Sequence, residues 1–105
     1  MSKFALCSRL ICKKNKRDKL VKLLIKGADI IVNLNGCRLY SIGTDIKNEN
    51  AIWIFQVWDR KIFFTYSIRR KAINEIRQKA SKYIDLTITR HREINMQSGL
   101  VKFYH

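Results

Sequence analysis

The sequence predicts an α+β fold of the ferredoxin-like class, a βαββαβ sandwich with one antiparallel sheet and both helices on one face. Three observations lead to this prediction. Residues 4–12 alternate as a strand does, and residues 51–59 form an unbroken run of β-branched and aromatic side chains. Residues 20–34 and 69–84 carry apolar side chains at helical spacing. At 105 residues the whole chain, 1–105, is expected to form a single domain.

The first half of the chain predicts a strand, a helix and a second strand. After the strand over 4–12, residues 13–18 are a polar turn, and a helix follows because apolar residues recur every three or four positions. These residues are Leu20, Leu23, Leu24, Gly27, Ile31 and Leu34. Gly36 is expected to end this segment with a positive φ. Residues 37–44 alternate again and predict the second strand, with a polar hairpin loop after it.

The third strand, residues 51–59, is predicted to be covered on both sides. Alternation gives it two largely apolar faces. One face carries Trp53, Phe55 and Val57, and the other carries Ile54, Gln56 and Trp58. Because both helices lie on one side of such a sheet, a second copy of the chain is the expected cover for the other side. We therefore predict a homodimer with Trp53, Phe55 and Val57 at its interface.

The second half predicts a short helical piece, a longer helix and a fourth strand. Residues 60–67 are rich in aromatic side chains without a clean period, and a short helix is expected there. Residues 69–84 predict an amphipathic helix. Residues 86–96 predict the fourth strand, and residues 100–104 a short terminal strand.

The formal net charge of +14 needs a physical explanation. Two blocks of the chain carry most of the cations. They are Lys3, Arg9, Lys13, Lys14, Lys16, Arg17, Lys19, Lys22 and Lys26, then Arg60, Lys61, Arg69, Arg70, Lys71, Arg77, Lys79 and Lys82. Solvated helix faces are the favoured interpretation, because no aromatic-basic motif accompanies the charge. A polyanion-binding surface is the alternative.

The cysteine and histidine pattern argues against a structural metal site or a disulfide framework. Cys7, Cys12 and Cys37 are an odd, widely spaced set without a Cys-x-x-Cys pair, and His91 and His105 both lie late in the chain. No metal is therefore expected, and the cysteines are interpreted as free thiols. No apolar run reaches the roughly 18 residues of a transmembrane helix. A cytoplasmic protein that does not associate with a membrane is the expectation.

Four segments together resemble the antibiotic-biosynthesis-monooxygenase superfamily, in particular its quinol-monooxygenase-like members, which are dimeric α/β barrels. The segments are residues 11–24, Gly36-Cys37-Arg38-Leu39-Tyr40 with its preceding asparagine, the strand 51–59 that ends in Trp58-Asp59, and Ser67-Ile68. They cover roughly residues 4–96. The resemblance implies a dimeric α/β barrel that oxidises an electron-rich phenol or quinol with O₂. It also implies that no metal, flavin or haem cofactor is used.

The resemblance also implies where a small aromatic substrate would bind. The pocket is expected between the sheet and the helices, and its predicted lining residues are Gln56, Trp58, Phe64, Ser67 and Tyr40. Trp58 would stack on the substrate ring, while Gln56 and Ser67 would orient a hydroxyl group. The alternatives are that Trp58 is a large core residue that fixes the strand to a helix, and that Gln56 and Ser67 bond to the neighbouring backbone.

The chain departs from the family pattern at the position of the expected base. In the segment 60–64 a phenylalanine takes the place of the family histidine. A phenol oxidation needs a group that accepts a proton near neutral pH, and histidine suits that best. Because no histidine precedes His91, the sequence predicts no histidine base in the pocket-forming region, and the catalytic residue is left unassigned.

Three other functions are compatible with the sequence. The chain could be a non-catalytic ferredoxin-like homodimer that kept the fold without the chemistry. It could instead be a basic nucleic-acid-binding module that stacks bases on Trp53 and Phe55, although the glycines of the RNA-recognition motif are missing. The haem-degrading branch of the superfamily is the least favoured, because only Cys7 among the corresponding positions offers a ligand for iron.

Overall fold

One antiparallel sheet with the strand order β2-β3-β1-β4 organises the computed structural model, which describes residues 3–98. The elements run, in chain order, β1 (Lys3–Ile11), α1 (Arg17–Ile31), β2 (Cys37–Thr44), β3 (Ala51–Trp58), α2 (Lys61–Arg69), α3 (Lys71–Ser81) and β4 (Arg90–Met96). The three helices cover one face of the sheet. The predicted ferredoxin-like α+β fold is confirmed.

The pairing of β1 with β3 decides which side chains lie under the helices. Leu6 lies opposite Gln56, and the next pair along, Cys7 with Phe55, points to the other face. On the helix side, buried residues form two contiguous apolar clusters. Their largest fully buried side chains are Trp58, Leu20 and Ile52. The helix side is therefore the core side of the sheet.

The helices follow the predicted order, and the second helical region is divided into two helices, α2 and α3. The expected short helix is α2, and the expected long helix is α3, which begins at Lys71 because Arg70 adopts an extended backbone with ψ of 138°. Gly36 has the predicted positive φ, 82°, and a Cβ there would overlap the Phe63 ring. Gly27 of α1 lies against Ile76 of α3, where the two helices pack against each other.

The fourth strand begins later than the sequence predicts, at Arg90 rather than Leu86. Asp85 accepts hydrogen bonds from the Thr87 amide and hydroxyl at 3.0 and 2.6 Å, which closes a local turn. The buried Thr89 hydroxyl then accepts the Ile11 amide at 3.0 Å. Residues 85–89 therefore supply hydrogen-bond partners to the end of β1 through a turn and a side chain, instead of pairing with it as a strand.

The outer face of the sheet has no cover from the described part of this chain. Trp53 is 41% exposed there, whereas Val57 is buried. The predicted terminal strand over 100–104 lies outside the described residues. Among residues 3–98, no helix combines the length and apolar character needed to cross a membrane.

Removing the Thr89 hydroxyl should destabilise the fold by about 1–3 kcal/mol, because the buried Ile11 amide would lose its partner. Thr89→Val keeps the shape and removes the acceptor, whereas Thr89→Ser keeps the acceptor. Urea unfolding at fixed protein concentration measures both. The valine variant should lose stability well beyond the serine variant, and equal losses would show that the hydroxyl does not satisfy the Ile11 amide.

Candidate functional site

A cavity of about 630 Å³ lies between the sheet and the three helices. Its wall is mostly apolar, with Leu6, Leu24, Ile54, Ile73 and Ile76 among the lining residues. This volume falls within the usual range for small-molecule sites, which are mostly apolar with a few polar groups. The cavity is therefore the first candidate for a functional site.

Four of the five residues predicted to line a substrate pocket line this cavity. They are Tyr40 from β2, Gln56 from β3, and Phe64 and Ser67 from α2. The cavity lies between sheet and helices, where the pocket was expected. Whether these residues bind a substrate stays a prediction.

Trp58, the fifth, does not line the cavity. It is 0% exposed and packs inside a core cluster, with the Phe64 ring edge-on at 6.3 Å between centroids. Alternation along β3 placed Trp58 on the correct face, but the helices cover that end of the strand completely. Stacking of a substrate on Trp58 is therefore corrected to a structural role behind the cavity wall.

Trp58 acts on the cavity through Gln56. The Trp58 Nε1–H donates to Gln56 Oε1 at 2.8 Å, and both side chains are buried. An indole N–H can only donate, so this bond identifies the carbonyl oxygen of the Gln56 amide and turns its NH₂ group away from Trp58. Among residues 3–98 no acceptor is recorded for that NH₂ group. Gln56 thus offers two unused donor hydrogens at a cavity wall.

Ser67 is tied to the backbone, as the alternative interpretation expected. Its buried Oγ donates to the Phe64 carbonyl at 2.6 Å, inside the first turns of α2. The donor hydrogen is thereby used, and only the oxygen lone pairs remain for a group in the cavity. Ser67 can accept a hydrogen bond there, and Gln56 can donate one.

Tyr40 presents a phenol that stays neutral at ordinary pH. Burial raises the pKa of its hydroxyl to about 12, with a smaller contribution from Cys37 in the same direction. The Arg77 guanidinium acts in the opposite direction on this pKa, so Arg77 of α3 lies close enough to influence the group. Although Arg77 is exposed, it also lines the cavity. Tyr40 can therefore donate a hydrogen bond, with a cation nearby.

His91 lines the same cavity, and this position was not predicted from the sequence. It lies on β4 directly opposite Ser8 of β1, and its Nδ1 is 2.7 Å from the Ser8 Oγ. Ser8 is buried, so it holds the imidazole from the core side. The prediction that the pocket-forming region contains no histidine is wrong. The signal that could have found His91 is the alternation of residues 90–96, combined with a strand order that places β4 beside β1.

An ion pair lies at the β4 side of the cavity. Lys61 of α2 and Glu93 of β4 are 2.8 Å apart, and Glu93 is a lining residue. Both side chains are more than half exposed, so the pair contributes little stability. It links α2 to the edge strand next to His91.

The outer sheet face carries a row of apolar side chains across all four strands. Leu39, Val57, Ala5 and Ile94 lie side by side in register. The residues predicted for the dimer interface, Trp53, Phe55 and Val57, are on this face. Cys7 pairs with Phe55 and shares the outer face, on the opposite side of the sheet from the cavity. A haem iron in the cavity could not be bound by Cys7.

No family model and no curated protein matches the chain. Solved structures do match it. A candidate antibiotic biosynthesis monooxygenase from Chloroflexus aurantiacus superposes with a TM-score of 0.82 at 25% identity, covering 95% of this chain and 98% of that one. One from Nitrosomonas europaea gives 0.85 at 5% identity over 91% of each chain. SnoaB, a cofactor-independent oxygenase from Streptomyces nogalater, gives 0.82 at 9% identity over 97% and 100%.

These neighbours confirm the resemblance to the antibiotic-biosynthesis-monooxygenase superfamily, whose fold this chain has. The similarity extends over nearly the whole length of the chain and of each neighbour. The low identities carry no substrate from those proteins to this one.

The raised pKa of Tyr40 predicts a loss of stability at high pH. The pKa of tyrosine in an unfolded chain is about 10, whereas the pKa of folded Tyr40 is raised to about 12. The stability that the neutral phenol contributes is therefore present below pH 10 and lost as the pH rises to 12. Tyr40→Phe should show a smaller fall in unfolding free energy across this window than the unaltered protein, as measured by urea unfolding.

Tyr66→Phe is the matched control, because Tyr66 is exposed and does not line the cavity. It should leave the pH dependence between 10 and 12 as in the unaltered protein. If both variants behave alike, burial of the Tyr40 hydroxyl does not determine this loss.

Proposed function

We propose that the chain is a cofactor-independent monooxygenase that oxidises a quinol or another electron-rich aromatic with O₂ inside this cavity. The observation that carries the proposal is the mostly apolar cavity whose wall includes Gln56, Tyr40 and His91. The apolar wall favours a flat aromatic ring, and the polar groups match a substrate that carries hydroxyl groups.

The proposed reaction balances without a resident redox group. A base removes a phenolic proton, and the resulting anion gives electrons to O₂. A carbon–oxygen bond then forms to give a hydroperoxide. Cleavage of its O–O bond with loss of a carbon-bound proton leaves a carbonyl and releases water. The quinol loses four electrons, O₂ gains four, one oxygen atom stays in the product and the other leaves as water.

His91 is the proposed proton acceptor for the first step. Its Nδ1 is engaged by Ser8, which fixes the ring and leaves Nε2 as the nitrogen available to a substrate hydroxyl. Residues that orient a base in this way let it act without first reorganising. The proposal thus supplies a base from β4 in place of the histidine that segment 60–64 lacks.

Gln56 and Tyr40 are the proposed donors to substrate oxygens. The Gln56 NH₂ group is turned away from Trp58, and the Tyr40 hydroxyl is protonated over the whole physiological range. Hydrogen-bond donors that are already oriented toward a developing oxyanion stabilise it. Arg77 adds positive charge on the helix side. These groups favour the ionised substrate that donates electrons.

A homodimer is part of the proposal. The apolar row on the outer sheet face, with Trp53 and Phe55 beside it, is a surface that a second copy can cover. A non-catalytic homodimer of the same fold is the second candidate function. It is favoured if the cavity binds aromatics without turning them over.

Replacing His91 by glutamine should lower O₂ uptake with simple hydroquinones by about 10²-fold or more, the usual contribution of a general base. An oxygen electrode measures the rate above spontaneous oxidation. Lys47→Gln is the matched control, since Lys47 is an exposed loop residue that does not line the cavity. It should leave the rate within about twofold.

Imidazole in solution tests whether the lost group is a base. His91→Gly should regain activity as imidazole is added, whereas the unaltered protein should not respond. Turnover by the unaltered protein with no loss in the His91 variants would reject His91 and retain the oxygenase. Absence of turnover above the spontaneous rate with every quinol tested would reject the oxygenase itself.

A charge on the outer sheet face should dissociate the dimer. Leu39→Lys places an ammonium in the apolar row, where dimer formation would bury it. Sedimentation velocity at micromolar concentration should show a dimer for the unaltered protein and a monomer for this variant. Ile46→Lys adds the same charge at a fully exposed loop position and should remain dimeric. A stable monomer before any substitution would contradict the homodimer.

A further inference from the structure

A second concave surface lies on the outer side of the helices. We call it the lysine cleft, and its volume is about 460 Å³. It is lined by Lys19, Lys22, Leu23, Lys26, Lys79, Lys82 and Tyr83. All five ammonium groups come from exposed residues of α1 and of the C-terminal end of α3. The cleft thus gathers five cations around one apolar and one aromatic side chain.

Helix geometry explains why the lysines converge. Lys19, Lys22 and Lys26 are three and four positions apart, so they lie along one side of α1 over about 10 Å. The close approach of α1 and α3 at Gly27 and Ile76 brings the second helix alongside. The convergence follows from how the two helices pack, and the sequence blocks alone did not reveal it.

None of the five lysines of the cleft takes part in the ion pairs found among residues 3–98. The ion pairs recorded among residues 3–98 involve Lys3, Arg38 and Lys61, all outside the cleft. Five like charges held together repel one another and lower the stability of the folded state. A bound polyanion would reverse that cost and release its condensed counterions.

We propose that the lysine cleft is a binding site for single-stranded nucleic acid. Lysine ammonium groups bind phosphates as point charges, and phosphate contacts carry no sequence information, so binding would be largely independent of sequence. Tyr83, a partly buried residue that lines the cleft beside these lysines, is the aromatic side chain on which an unpaired base would stack. This combination of cationic groove and aromatic side chain is typical of single-strand binders.

The proposed site differs from the nucleic-acid surface that the sequence suggested. Trp53 and Phe55 lie on the outer sheet face, and the Trp53 indole already donates to Asp45 at 2.9 Å and has Arg9 over its ring. The lysine cleft lies on the other side of the molecule, across the helix layer. It is independent of the proposed oxygenase activity and stands if that activity is refuted.

Fluorescence anisotropy with a labelled oligothymidylate of about 12 nucleotides, within the range that small single-strand-binding domains cover, tests the proposal. The double variant Lys22→Glu/Lys79→Glu should bind at least about 10²-fold more weakly at low salt. For the unaltered protein, log K should fall against log salt with a slope of roughly −3.5 for five neutralised phosphates, and roughly −2 for the variant.

Lys47→Glu/Lys71→Glu is the matched control, because it changes the net charge equally at exposed lysines outside the cleft. It should retain most of the affinity. Equal losses in the two double variants would overturn the site, since binding would then follow total charge. Circular dichroism confirms that each variant is folded.

Two further ligands test whether the partner is a single-stranded nucleic acid. An abasic oligonucleotide of the same length keeps every phosphate and removes the bases, and it should bind about tenfold more weakly if one base stacks on Tyr83. A duplex of the same length should also bind more weakly than the single strand. Equal or tighter binding of either ligand would overturn the assignment to single-stranded nucleic acid.

Discussion

The antiparallel register of β1 against β3 is the constraint on which both sides of the sheet depend. The pair Leu6 with Gln56 faces the helices, and the next pair, Cys7 with Phe55, faces outward. A shift of one residue would move Gln56 out of the cavity wall and turn Phe55 into the core. Because one face of the sheet is covered by three helices and the other is open, such a shift would bury polar groups and expose the core. The register is therefore fixed by burial.

The bond from Trp58 to Gln56 extends this constraint to a single polar group. A buried amide is costly unless its atoms are paired, and one side of the Gln56 amide is paired by an indole that is itself immobile in the core. The remaining NH₂ group lies at the cavity, where a ligand can accept from it. Trp58 thus contributes to the cavity without touching it, as a positioning residue. A large aromatic residue at the end of a strand can thus orient a cavity-lining side chain without lining the cavity itself.

The parts of the site that could be predicted are those set by local pattern. Tyr40 and Gln56 belong to strands in which alternation gives the face of each residue, whereas Ser67 lies in a segment without a clean period and was expected at the pocket from the family resemblance. The depth of Trp58 could not be predicted, because alternation gives the face of a residue and not how completely the helices cover it. His91 was missed because its place at the cavity depends on β4 lying beside β1, a contact between residues 83 positions apart. Pairing between strands that are far apart in the chain cannot be recognised from the periodicity of either strand alone.

The positive charge and the cavity have separate explanations, although α1 and α3 contribute to both. The inner sides of these helices line the cavity, and their outer sides carry the lysine cleft. A helix with its side chains is about 10–12 Å across, and exposed charges are largely screened beyond about 8 Å at physiological salt. Lysines on the outer side therefore add little to the stabilisation of an anion in the cavity. Arg77, which lines the cavity, is the cation placed to do so. The excess charge on the outer helix surface is therefore independent of the cavity, and the ligand proposed for the lysine cleft would bind outside it.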